Sequence, residues 1–305
     1  MSTTHVQNRA MRILSAIVVA SLALTATAQQ DPMYSMYMWN MMAIQPAYAG
    51  SADVLNATAL SRVQWAAIEG APTTQSLSLH SPLNARTIGL GGNLAHDRIG
   101  RTYTTSAFAD IAYRMRVDGN TRLALGLNAG INHAYVANSK VENTDPNDPT
   151  FQADISGRIC PNFGFGAYLW SKKGNYLGRY SQDGMSSQFI QEATHVFLTA
   201  GYVFPMGTVK FKPSLMIKAS EGAPLSGDVS ATVFLQDKFI LGAAYRYGDS
   251  FTGILALQAT NQIRVGYAYD MGISLLNRRA NGAHEVMISY APVFTRDKIR
   301  SPRYF

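Results

Sequence analysis

Cysteine is almost absent from this 305-residue chain, which contains only Cys160. A single cysteine cannot form an internal disulfide, so packing and hydrogen bonds must hold the fold together. No activating partner is evident nearby, and we interpret Cys160 as an ordinary strand or loop residue. Charge is sparse too: charged residues make up 15% of the chain, and the formal net charge of +7 is spread along it. Without a cluster of Lys and Arg, the sequence predicts no nucleic-acid partner.

Long hydrophobic runs are missing as well. The most apolar stretch, residues 13–24, is about 12 residues long and falls short of the roughly 20 that a membrane-spanning helix needs. Arg9 and Arg12 precede it and the small residues Ala26–Ala28 follow it, in the order typical of a cleaved secretory signal. We therefore predict that residues 1–28 are a signal peptide and that the protein is exported. An N-terminal membrane anchor is the alternative.

Catalytic and metal-binding motifs are also missing. The sequence has no G-x-S-x-G elbow and no P-loop, and Gly89–Gly92 precedes no helical pattern, so we expect there a strand whose inner face must be small. We expect no catalytic residue, no metal and no cofactor, and hence no enzyme. A Ser/His/Asp site dispersed along the chain is the alternative, because such a site assembles in space. The histidines, none spaced as a metal pair, are His5, His80, His96, His133, His195 and His284.

Alternation of apolar with small or polar residues is what the chain does contain, throughout the part after residue 50. Leu123, Leu125 and Leu127 alternate with Ala124 and Gly126, the pattern of a strand with one apolar face. Such runs and the turn residues between them predict thirteen strands, near 55–65, 73–82, 86–96, 102–116, 121–137, 158–170, 193–203, 208–219, 228–236, 238–247, 251–259, 262–271 and 283–294.

A membrane barrel and a soluble pair of stacked sheets would both show this alternation. Strands of roughly nine or more residues suit a tilted membrane span, and small or polar residues opposite the apolar face suit a barrel lumen. We therefore predict an all-β fold, an antiparallel transmembrane β-barrel of about 12–14 strands in the outer membrane, where single-chain barrels have even strand numbers. The polar stretches 138–158 and 171–193 are predicted to be long extracellular loops. Asp270, at a strand end, is interpreted as a turn or interface residue.

The stretch QDPMYSMYMWNMMAIQPAYAG, residues 30–50, is unlike the rest of the chain. It holds four large aromatic residues among five methionines with hardly any charge, so something must cover it. Pro32 and Pro46 make it a poor membrane helix. We predict that residues 29–50 either plug the barrel lumen or lie against its periplasmic rim. The barrel would then comprise residues 51–305, with a short basic C-terminal tail.

This opening stretch resembles the start of the PorP/SprF family of the type IX secretion system, which typically reads D-P-x-[YF]-S-Q-Y-M-F-N-P-x-x-x-N-P-A-Y-A-G. The chain departs from that pattern at Met36, Met41 and Gln45, where the family usually has Gln, Pro and Asn. We expect these departures to alter only how the segment packs. Further matches follow in order at Arg62, Gln64-Trp65, Gly70–Thr74, Gly89–Gly92, Asp97–Gly100, Gly201-Tyr202, Lys212–Ser214, Ala244–Arg246, Gly266–Asp270, Gly282–Glu285 and Pro302-Arg303.

The resemblance implies an outer-membrane β-barrel that works with the type IX secretion and gliding machinery of Bacteroidetes. It implies secretion or surface anchoring of large adhesin-like cargo that bears a type B C-terminal domain. It also implies periplasmic partners, among them ring lipoproteins and a peptidoglycan-binding, OmpA-like lipoprotein. On this basis we expect a non-enzymatic component that acts through protein–protein contacts while embedded in membrane lipid. A passive porin-like channel for small solutes is the alternative, and an open lumen would favour it.

Two groups of residues are candidates for binding a partner. The aromatic side chains of the opening stretch would contact either the barrel itself or a periplasmic protein. Basic residues between 171 and 193 would contact a secreted protein at the cell surface. The predicted partner-binding residues are Tyr34, Tyr37, Trp39, Tyr48, Lys172, Lys173 and Arg179.

Overall fold

Fourteen antiparallel strands close into a β-barrel, which confirms the prediction of an all-β membrane barrel. The count lies at the upper end of the predicted range. The structure is a computed structural model that describes residues 33–83, 87–140, 153–157, 159–171, 174–184, 194–273 and 280–292.

The strands follow one another around the barrel in chain order. They are β1 (Asn56–Gln64), β2 (Thr73–Pro82), β3 (Ile88–Ile99), β4 (Thr102–Arg116), β5 (Thr121–Val136), β6 (Ile155–Ser156), β7 (Cys160–Ser171), β8 (Asn175–Gly184), β9 (His195–Tyr202), β10 (Phe204–Met206), β11 (Val209–Ser220), β12 (Ser226–Leu235), β13 (Phe239–Arg246), β14 (Ser250–Gln258), β15 (Ile263–Gly272) and β16 (Ala283–Tyr290). The short β6 and β10 only extend the pairing of β5 and β11. Because β9 pairs with β11 and β16 pairs with β1, the sheet closes on itself.

The apolar face of the sheet points outward. On β5, Leu125 and Leu127 are 51% and 61% exposed, whereas Ala124, directly before Leu125, is fully buried. Because side chains alternate across a strand, the same division repeats around the barrel. An apolar exterior around a small and polar interior is typical of a barrel whose outside contacts lipid. The soluble-sandwich alternative is thereby excluded.

The two ends of the barrel differ in their connections. Short turns at 117–120 and 236–238 lie at the end where β1 begins and β16 finishes. The opposite end carries the longest connections, 137–159, 185–194 and 273–282. Bacterial barrels have short periplasmic turns and longer extracellular loops. We therefore refer to the first as the periplasmic end and to the second as the outer end.

Thirteen strands lie where the alternation predicts them, and β2 and β4 agree to the residue. The prediction of a single long loop over 171–193 is wrong, because β8 lies within it. The outward face of β8 is not a continuous apolar run: Leu177 is followed by the exposed Arg179. Its bulkiest side chains, Tyr176 and Tyr180, are buried inside, which reverses the pattern that marks the other strands.

Several predicted features lie outside the described residues. Of the stretch 138–158, the structure describes a 3-10 turn at Asn138–Lys140 and the short β6. The predicted signal peptide, residues 1–28, and the basic C-terminal tail are not among the described residues. These two stay predictions.

An arginine on the outward face should be costly only where lipid surrounds it. Leu127→Arg is expected to lower the free energy of unfolding by about 2–4 kcal/mol, the cost of an arginine near the bilayer centre. Val117, in a periplasmic turn, is 61% exposed like Leu127, and Val117→Arg should change stability by about 1 kcal/mol or less. Denaturant unfolding in lipid vesicles measures both, and equal effects would contradict this placement of the lipid-facing belt.

Candidate functional site

Residues 33–50 run through the inside of the barrel, and we call them the luminal segment. Every residue from 34 to 50 is buried except the half-buried Ala43. The side-chain oxygen of Gln45 caps the last turn of the segment by accepting the N–H of Ala47 at 3.3 Å. Three single 3-10 turns fold the segment, at Tyr37–Trp39, Met41–Ala43 and Pro46–Tyr48.

Buried charges near the outer end hold the beginning of the segment, and we call this group the outer anchor. Glu285 accepts the backbone N–H groups of Ser35 and Met36, at 2.8 and 2.7 Å. Arg62 pairs with Glu285 at 3.0 Å and with Asp270 at 2.6 Å, and the Ser35 hydroxyl donates to Asp270 at 2.7 Å. Glu285 is fully buried, so these donors are what balances its charge.

A second group near the periplasmic end holds the end of the segment, and we call it the periplasmic anchor. The N–H of Gly50 donates to His80 Nδ1 at 3.1 Å, and Arg114 donates to the carbonyl oxygen of Gly50. Asp53 accepts from Arg114 at 3.1 Å and from Arg122 at 3.0 Å. The segment is thus fixed at both ends by charge-assisted hydrogen bonds, which are the stronger kind.

Aromatic packing fills the space between the two anchors. The ring of Tyr48 packs edge-on against His80 and Tyr168, with centroids 5.2 and 5.4 Å apart. Such edge-to-face pairs are favoured by the charge distribution of the rings. The guanidinium of Arg264 lies over Trp39 at 5.9 Å. Tyr37, 2% exposed, belongs to the same buried cluster.

Glycines on the inward face of the barrel let the segment approach the wall. A Cβ added at Gly126 would overlap the backbone of Ala47, and one at Gly89 would overlap that of Ala49. A Cβ at Gly178 would lie 2.9 Å from the amide nitrogen of Gln45. The strand with a small inner face expected at Gly89–Gly92 is therefore found, and what requires the small face is the luminal segment.

Arg246 forms a further group of ion pairs on the inner face of the barrel. Arg246 contacts Asp228 at 3.0 Å and Asp249 at 3.2 Å.

Two cavities of about 40 and 20 Å³ lie beside the luminal segment, each with room for one to a few water molecules. Among the described residues, no group of three or more His, Cys, Asp or Glu could hold a metal ion, and no helix is long and apolar enough to cross a membrane.

The structure places four of the seven predicted partner-binding residues in the lumen and a fifth, Arg179, on the opposite face of the barrel wall. Arg179 lies on the outward face of β8 and is exposed; only its backbone carbonyl reaches the segment, accepting from Gln45 at 3.1 Å. Lys172 and Lys173 lie outside the described residues. The four aromatic side chains are all buried in the lumen: Tyr34 (6% exposed), Tyr37 (2%), Trp39 (8%) and Tyr48 (8%).

The acidic members of the two anchors are what sequence reasoning misses. The interpretation of Asp270 as a turn or interface residue is wrong, because its side chain is buried in the outer anchor. Alternation carries the signal: Tyr269 is exposed, so its neighbour must face inward. In the sequence, Glu285 is noted only as part of the family match at Gly282–Glu285, which does not indicate its role. For Asp53, which precedes the first strand, the sequence contains no comparable signal.

Comparison with protein families identifies what this filled barrel is. A family model described as the type IX secretion system membrane protein PorP/SprF matches residues 26–290. The chain belongs to this family. The match includes the luminal segment and every barrel strand, and it confirms the resemblance seen in residues 30–50. This PorP/SprF protein is thus an outer-membrane β-barrel of the type IX secretion system.

Solved structures with a similar shape are distant. Omp33 of Acinetobacter baumannii is 10% identical with a TM-score of 0.47, over 78% of this chain and 97% of that one. A Pseudomonas aeruginosa FadL homologue is 12% identical with a TM-score of 0.44, over 87% and 96%. The KdgM porin is 8% identical with a TM-score of 0.42, over 78% and 99%. These similarities carry no argument about function. Curated protein sequences gave no significant match.

Removing the charge of the outer anchor should loosen the start of the luminal segment. Glu285→Gln leaves Arg62 and two backbone N–H groups short of an anionic acceptor, and breaking a buried pair costs about 3–5 kcal/mol. Amide hydrogen exchange at Ser35 and Met36 should therefore speed up strongly. Asp237→Asn is the matched control, because it breaks the more exposed Lys210–Asp237 pair, worth about 1 kcal/mol or less. Unchanged exchange in Glu285→Gln would contradict the anchoring role.

A single added methyl group should displace the middle of the segment. Gly126→Ala places a Cβ against the backbone of Ala47, and such overpacking costs about 1–3 kcal/mol. Limited proteolysis should then cut residues 33–50 faster while the barrel stays folded. Gly253→Ala is the control, because a Cβ there has nothing within 4 Å. Equal cutting of both variants would show that close approach at Gly126 is unimportant.

Proposed function

We propose that this protein is a non-enzymatic component of the type IX secretion and gliding machinery, and that it supports secretion or surface anchoring of large adhesin-like cargo through protein–protein contacts. The observation that carries the proposal is the luminal segment, which is tied to the barrel wall at both ends. A lumen filled by the protein's own chain is suited to a rigid docking platform and poorly suited to solute passage. In this proposal the luminal segment is a plug.

The partners follow from family membership and from the two ends of the barrel. At the periplasmic end, the proposed partners are the secretion machinery and its peptidoglycan-binding, OmpA-like lipoprotein. At the outer end, the proposed partner is secreted cargo with a type B C-terminal domain. Export would depend on a cleaved signal at residues 1–28. Lys172, Lys173 and Arg179 remain candidates for partner contacts, whereas the four buried aromatic residues would serve partners indirectly, by keeping the plug in place.

The passive-channel alternative makes the opposite prediction about conductance. In planar bilayers, the purified full-length protein should show no steady ohmic conductance. Deletion of residues 33–48 should open a pore, because it removes the side chains between the anchors. Heat-modifiable gel migration checks that the deleted barrel still folds. A steady pore in the intact protein would favour the channel.

The same deletion tests the role in secretion. Cells that produce the deleted protein, with barrel levels matched to wild type, should lose most surface display of type IX cargo. Affinity purification from detergent-solubilised outer membrane should recover the periplasmic lipoprotein with the wild-type protein. Full cargo display by a folded barrel without residues 33–48 would show that the segment has no part in export.

A further inference from the structure

Three arginines lie near one another at the periplasmic end of the barrel. Of these, Arg114 contacts the luminal segment, at the carbonyl oxygen of Gly50. Arg114 and Arg116 are on β4, and Arg122 on β5 is the direct cross-strand partner of Arg116. Arg114 is buried, and alternation along β4 places Arg116 on the same, inward face. We call these three residues the mouth cluster.

The three positive charges of the mouth cluster outnumber the two acids beside it, Asp53 and Asp118. One carboxylate oxygen of Asp53 accepts from both Arg114 and Arg122, at 3.1 and 3.0 Å. The other nearby acid, Asp118, accepts the backbone N–H groups of residues 120 and 121 within its own turn, at 2.6 and 2.7 Å. Arg116 is exposed and forms no ion pair with any other described residue.

Two arginines opposite each other on one face of a sheet repel, and like charges in this position are destabilising. An anion within reach of both side chains would remove that repulsion. Because Arg116 is on the inward face, its side chain belongs to the mouth of the barrel and not to the lipid-facing belt. We therefore take the source of the anion to be a molecule in the periplasm.

The groups that the cluster already holds indicate the chemistry of its ligand. Arg114 donates to a backbone carbonyl, that of Gly50, and also pairs with a side-chain carboxylate, that of Asp53. Both acceptors belong to an irregular stretch of polypeptide that leaves the lumen at this point. Arginine forks match carboxylates in geometry and bind them more strongly than neutral acceptors do.

We propose that the mouth cluster binds an acidic peptide segment of a periplasmic protein, with a carboxylate held between Arg116 and Arg122. The segment would lie alongside Asp53, whose own carboxylate pairs with Arg114 and Arg122. The proposal relies on the proposed function only in taking the partner to be a periplasmic protein. Its test measures peptide binding and needs neither cargo export nor conductance.

The probe is a fluorescently labelled hexaglutamate peptide, and its anisotropy is measured with the full-length protein in detergent. At about 0.15 M salt the Debye length is about 8 Å, so distant charges contribute little. Arg116→Gln should weaken binding about tenfold, the equivalent of about 1.4 kcal/mol for one charge-assisted contact. Arg98→Gln is the matched control, because it removes an exposed arginine of β3 near the outer end and should leave binding unchanged.

Several outcomes would overturn the proposal. They are absence of hexaglutamate binding, equal weakening by Arg116→Gln and Arg98→Gln, and equal binding of a hexaglutamine peptide. Complete displacement of the peptide by inorganic phosphate at an equal concentration of charge would show a general anion site. Because Arg116 is exposed, its substitution should leave the barrel folded, which heat-modifiable migration checks. An intact barrel that binds the peptide but conducts ions would contradict the proposed function while supporting this proposal.

Discussion

Satisfying buried polar groups is the constraint on which this structure depends. A polypeptide that runs through a barrel without joining its sheet has backbone N–H groups that the strands do not pair, and a buried unpaired N–H costs about as much as a lost hydrogen bond. Glu285 satisfies two successive N–H groups, those of Ser35 and Met36, and each of its carboxylate oxygens accepts one of them. Arg62 then balances the charge that Glu285 introduces. Short 3-10 turns satisfy further groups within the segment itself.

The same arrangement explains why the wall of the barrel is built as it is. Inward positions include glycines where backbone passes close to backbone, and larger side chains where there is space to fill. Outward positions face lipid, and most of the large side chains there are apolar. The structure therefore consists of two matched parts, a barrel and the chain inside it. The family match covers both.

The sequence reveals the wall of this barrel far better than its contents. Period-two alternation is local, so almost every strand can be located, and β8 is missed because its outward face breaks the apolar run with Arg179. The luminal segment is recognisable as a stretch that must be covered, from its aromatic residues and methionines alone. The barrel residues that bind this segment cannot be located in the same way. Ser35 is bound by residues 235 and 250 positions away, and no local pattern shows which strands a closed sheet brings together.

The location of the outer anchor has a consequence for how the molecule is assembled. Arg62 belongs to the first strand and Glu285 to the last, and these two residues face each other across the pairing of β1 with β16. That pairing is the seam at which the sheet becomes a cylinder. Ser35 and Met36 bind directly beside it, so the segment contributes hydrogen bonds to the one joint that no hairpin provides. Insertion of the luminal segment and closure of the barrel are thereby coupled, and each makes the other more favourable.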